Sequence, residues 1–234
     1  MAEYKEDNKR SAAGIGAAVI ALVIGTIGGY AVGNSMGDDD KNAKTLNSSQ
    51  ASTATPAADL RAILTGLNEE HVSLASAATR AGFDGSASFM PAAASLDNNS
   101  RDLQKAVASV YGEDAGKKFY DIWNSHIGFF VDYTVAAKAG DKAGMDKAVQ
   151  NLNGYVDGIS TFFSEANPNL PKEAVAQLIS EHVGLLKETV DKYGAGDIAG
   201  SYAKQRETRA QIGSKVATTI SGAIVKQYPD KFKN

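Results

Sequence analysis

The sequence predicts an all-α protein: an N-terminal transmembrane helix followed by six helices arranged as three tandem hairpins, in a bundle or a stack. Two registers predict the hairpins. One helical phrase occurs three times, as LNEEHVSL around His71, IWNSHIGF around His126 and LISEHVGL around His182, at intervals of 55 and 56 residues, and these are the only histidines. A second phrase, Ala-Gly-Asp, stands at residues 139–141 and 195–197, again 56 residues apart. Repeats of this length are supersecondary units that cannot bury their apolar face alone and must pack on one another. No segment alternates as a strand would.

The N-terminal helix comes from a third observation. From Ser11 to Gly37 the chain has no charged residue, a run of 27 that contains AAVIALVIGTIGGYAVG, and about 20 apolar residues suffice to cross a bilayer. The run exceeds the apolar core of a cleavable signal peptide, so residues 11–33 are expected to be an uncleaved signal-anchor. The tail, residues 1–10, carries Lys5, Lys9 and Arg10, against Lys41 and Lys44 on the exit side. That bias, with the shortness of the tail, places the N-terminus in the cytoplasm and the rest of a single-pass chain outside the cell membrane. Within the span Ala17, Ala21, Gly25, Gly29 and Gly33 recur every fourth residue. Small residues at this spacing let two helices approach closely in lipid, so a homodimer through the span is an expected partner contact.

Residues 34–58 are small and polar and read as a flexible linker. The exported domain then runs over 59–234. Its helices are expected at about 59–81, 92–111, 114–139, from Asp141 to before Asn167, from about Pro171 onward, and from Asp197 to about Lys226. Asp141 and Asp197 are the expected N-caps of the fourth and sixth helices. Pro171 and Glu173 suit the first turn of the fifth.

Composition narrows the function. The chain of 234 residues carries 24 Lys and Arg against 27 Asp and Glu, a net charge of -3. The tail's bases and acids cancel, so the exported part carries all of it. That balance argues against nucleic acid as a partner. With no cysteine there is no disulfide, thiolate ligand or cysteine nucleophile.

The histidines are the candidate site. The residues three, four and seven positions away from each share its helical face. For His71 these include Leu64, Leu67, Asn68 and Leu74, for His126 Phe119, Ile122, Trp123 and Phe130, and for His182 Val175, Ile179, Leu185 and Leu186. None is a carboxylate, and Glu70 and Glu181 point about 100° away. The Glu-x-x-His pattern of di-iron bundles is therefore missing. All three histidines are expected to be buried, mid-helix and equivalent, each clamped by a polar group of the second helix in its hairpin: Asn99, then Asn153 or Tyr155, then Arg209 or Gln211. This structural reading needs no cofactor. The alternative makes His71, His126 and His182 ligands of a divalent transition metal, and it requires the rings to converge within about 4–5 Å. Trp123, Phe129, Phe130, Tyr133, Phe162 and Phe163 are expected in the core.

The ending AIVKQYPDKF at 223–232, the AKAGD phrase and SEANPNLP at 164–171 resemble a family of bacterial exported helical proteins. The resemblance covers about residues 60–232 and implies tandem helical hairpins behind a signal or anchor, with no reaction attached. The expectation is a non-catalytic extracytoplasmic binding or interaction module of the cell envelope.

Overall fold

The computed structural model describes residues 53–233, and the first helix among them opens with a side-chain cap. Thr55 is extended and its hydroxyl accepts from the backbone N–H of Ala58 at 3.1 Å, with Pro56 opening the helix. Helix α1 therefore spans Pro56–Asp84, starting three residues before the expected boundary. The Thr-Pro pair supplies both the capping oxygen and a residue that needs no N–H partner there. The expected tail at 1–10, the span at 11–33 with its stripe from Ala17 to Gly33, and the linker up to residue 52 lie outside the described residues. No helix among the described residues is long and apolar enough to cross a membrane.

The remaining helices are α2 (Phe89–Tyr111), α3 (Glu113–Ala139), α4 (Lys142–Ala166), α5 (Lys172–Gly194), α6 (Ile198–Gln211) and α7 (Ala217–Gln227). The repeated Ala-Gly-Asp phrase works as the spacing implied. Gly140 and Gly196 adopt φ of 69° and 78°, the left-handed region glycine enters without cost, and reverse the chain. Asp141 and Asp197 then accept from the N–H groups of Gly144 and Gly200 at 3.0 and 2.9 Å. The sixth helix, expected to run unbroken from Asp197 to about Lys226, is interrupted. A π-helical turn, Ile212–Val216, separates α6 from α7. Within it Gly213 lies so close to Glu69 of α1 that a Cβ would stand 2.6 Å from the carboxylate. Contact between helices, which periodicity does not record, coincides with the local change of winding.

The hairpins close into a ring. Helices α1, α3 and α5, which carry the histidines, pack against one another. Each second helix packs both on its own partner and on the first helix of the next hairpin: α2 on α1 and α3, α4 on α3 and α5. The last one, α6 through α7, returns from α5 to α1. The domain is thus a closed six-rod bundle with quasi-threefold order. The main core follows the inner helices, with Val72, Phe119, Leu186 and Ile212 almost fully buried. Among the expected aromatics, Trp123, Phe130, Tyr133, Phe162 and Phe163 are buried.

Candidate metal centre and cavity

His71, His126 and His182 occupy the middle of α1, α3 and α5 and are at most 1% exposed. Since these three helices form the inner triangle of the bundle, equivalent positions on them face one another. The His71 and His126 ring centroids are 5.3 Å apart, and those of His71 and His182 are 6.1 Å apart. The two Nε2 atoms of His71 and His126 stand 3.4 Å from each other. The equivalence read from the spacing is therefore also spatial convergence.

Hydrogen bonding sets the chemistry of the pair. His126 Nδ1 bonds the backbone carbonyl of Trp123. A carbonyl only accepts, so Nδ1 carries the proton and His126 Nε2 presents a lone pair to the cluster. His71 Nε2–H then donates across the 3.4 Å gap. His71 Nδ1 and both nitrogens of His182 have no hydrogen-bond partner. Burial holds His71 far below the usual imidazole range, and the neighbouring His126 and His182 lower it further. Burial likewise brings His126 down to about 3 and His182 to about 4. All three are neutral imidazoles at neutral pH, the form that binds metals.

The expected clamps are not what holds these rings. Asn99 donates to the carbonyl of Leu67 at 3.0 Å and to Glu70 at 2.9 Å, and Gln211 donates to the carbonyl of Leu178 at 2.9 Å. Asn153 is exposed, and Arg209 pairs with Glu69 at 2.9 Å. Tyr155 does meet His126, but by stacking, and its buried hydroxyl is unpartnered. Asn99, Tyr155 and Gln211 are 56 residues apart and so equivalent in the repeat. In the first and third hairpins this position grips the carbonyl four residues before the histidine. The sequence located the polar positions and mistook their target, because the helix carbonyl is nearer than the imidazole.

Glu70 and Glu181 do point outward, the first to Asn99 and the second to Lys215 at 2.6 Å. Among the described residues no group of three or more His, Cys, Asp or Glu side chains is placed so that it could hold a metal ion, the three histidines included. His182 is the outlying ring.

Beside the cluster lies a cavity of about 360 Å³ between α1, α2 and α3, with His71 and His126 in its wall. Ala75, Ala78, Gly82 and Ala93 bring little bulk to its wall, which Phe130 and Val131 also line. Val135, 63% exposed, stands where it meets solvent. The hydroxyls nearby are turned inward: Thr79 and Thr134 bond helix carbonyls at 2.9 and 2.7 Å. Sequence reasoning missed this cavity. Its signal was the run of small residues after His71, ASAATRAG, which keeps α1 helical while leaving one face without bulk.

Compared with family models, curated proteins and solved structures, the chain shows no significant match.

Proposed function

We propose that the protein is a membrane-anchored helical binding module of the cell envelope, and that its exported domain takes up a small, mainly apolar molecule between α1, α2 and α3. One observation carries this reading: the cavity of about 360 Å³, walled by apolar side chains with two imidazoles at its inner end. Pockets for small ligands are concave, mostly apolar and provided with a few fixed polar groups, and begin at about 300 Å³. An engineered apolar cavity of about 150 Å³ already holds benzene, so this one suits a two-ring skeleton with one polar atom. That atom would meet His71 or His126. The anchor rests on the uncharged run from Ser11 to Gly37, and the export on its flanking charges and on the resemblance to exported helical-hairpin proteins.

Trp123, the only tryptophan, reports on the cavity's inner end, since its ring centroid is 4.8 Å from that of His71. Titrating the full chain, held in mild detergent, with decahydro-2-naphthol, a saturated two-ring alcohol with no near-ultraviolet emission of its own, is expected to change Trp123 emission saturably. Ala93→Phe, which fills the cavity, is expected to abolish the change. An unaltered response in Ala93→Phe, or none in the folded wild type up to about 1 mM ligand, a free energy of only about 4 kcal/mol, would refute the pocket. For the anchor, the chain should stay in the membrane pellet after alkaline extraction and lose its domain to protease added outside spheroplasts. Release into the supernatant would refute it.

A further inference from the structure

We propose that His71, His126 and His182 bind one divalent transition-metal ion of the zinc or copper type, with a fourth position open toward the cavity. The geometry of the first pair points to it. Two imidazole nitrogens each about 2.0–2.1 Å from a tetrahedral ion stand roughly 3.3–3.4 Å apart. His71 Nε2 and His126 Nε2 are 3.4 Å apart. Their ring centroids, at 5.3 Å, also match the roughly 5.2 Å that such a pair implies. On metal binding the Nε2 proton of His71 moves to its unpartnered Nδ1, so that both Nε2 lone pairs face the ion and both ligands stay neutral.

His182 completes the set by moving toward both of the other rings. Its ring lies 6.1 Å from that of His71, roughly 1 Å beyond the coordinated separation. Both of its nitrogens are buried and unpartnered, so rotation toward an ion breaks no hydrogen bond. His126 is already oriented as a ligand, because its second nitrogen is tied to the carbonyl of Trp123, the outer-shell bond that metal-binding histidines make.

The ligand chemistry selects the ion. Three imidazoles without a carboxylate suit zinc, copper, nickel or cobalt, and not calcium or magnesium, which take oxygen ligands. Three neutral ligands leave the charge of the ion unbalanced in an apolar interior, where an unpaired charge is costly. The fourth ligand is therefore an anion or hydroxide, and it arrives from the cavity, whose wall His71 and His126 form. The site does not depend on the small-molecule reading, and the metal alone tests it.

The full chain in mild detergent is loaded separately with Zn(II), Cu(II) and Co(II), exchanged into metal-free buffer and analysed for bound metal. One ion per chain is expected, with affinity lower by roughly tenfold or more in His71→Ala, His126→Ala and His182→Ala. Two wild-type signals do not depend on how well the variants fold. Cobalt should give the intense visible bands of tetrahedral coordination. Copper should quench Trp123, whose ring centroid lies 4.8 and 4.9 Å from those of His71 and His126, while zinc should not. Substoichiometric metal, or copper bound without quenching, would overturn the proposal, as would retention by a folded His126→Ala variant. Metal binding is measured without organic ligand and organic-ligand binding on chelator-treated protein, so the two readings fail separately.

Discussion

Tyr155 stacks on His126 with ring centroids 4.4 Å apart and planes 22° apart, while its hydroxyl finds no partner in the core. The tyrosine therefore serves this position through its ring. Tyr155→Phe is expected to change unfolding free energy by no more than about 1 kcal/mol, since it removes an unsatisfied group. Tyr155→Ala is expected to cost about 3–5 kcal/mol through the cavity it leaves. Urea denaturation distinguishes the two, and a large loss in Tyr155→Phe would reveal a hydrogen bond to the hydroxyl.

The metal-free protein should lose stability on mild acidification. The histidines titrate near 6.5 when unfolded and far lower when folded, at about 3 for His126 and about 4 for His182, because burial disfavours their charged form. Below about pH 6.5 the unfolded chain binds protons that the folded chain refuses, so stability is complete above that pH and falls as pH drops toward 4. Each histidine contributes up to about 1.4 kcal/mol per pH unit within this window. Chelator-treated protein melted at pH 7, 6 and 5 should show a progressively lower Tm. A folded His182→Leu variant should show a shallower dependence, and identical profiles would rule out this role of burial.

The two amides that grip helix carbonyls tie each second helix to its histidine helix. Asn99→Ala and Gln211→Ala are each expected to lower stability by about 1–2 kcal/mol. Hydrogen exchange should show faster opening within the hairpin affected. Equal exchange in wild type and variants would mean that apolar packing alone holds these helices.

The repeated caps offer a test of local origin. Asp141→Ala and Asp197→Ala remove the oxygens that receive Gly144 and Gly200, at a cost of about 1 kcal/mol each. Asp141→Asn should retain most of the stability, since asparagine caps comparably. Asp197 also pairs with Lys192 at 3.0 Å, an exposed contact of small worth. Chemical denaturation at moderate salt separates the cap from that pair.

The approximate positions of five helices, the caps at Asp141 and Asp197, and the burial and equivalence of the three histidines were legible in the sequence. Each depends on residues a few positions apart along one helix, and 3.6-residue periodicity records that directly. The outward direction of Glu70 and Glu181 followed from the same geometry. Tertiary structure alone decided that the three hairpins close into a ring, that His71 and His126 face each other at 3.4 Å, and that Asn99 and Gln211 hold carbonyls instead of imidazoles. It alone decided the π turn beside Glu69 and the cavity beside the histidines. These are relations between side chains of different helices, set by how close the helices approach and how they are rotated, and no single helix encodes them. The three histidines were thus marked by the sequence as equivalent, and only packing of α1, α3 and α5 made them neighbours.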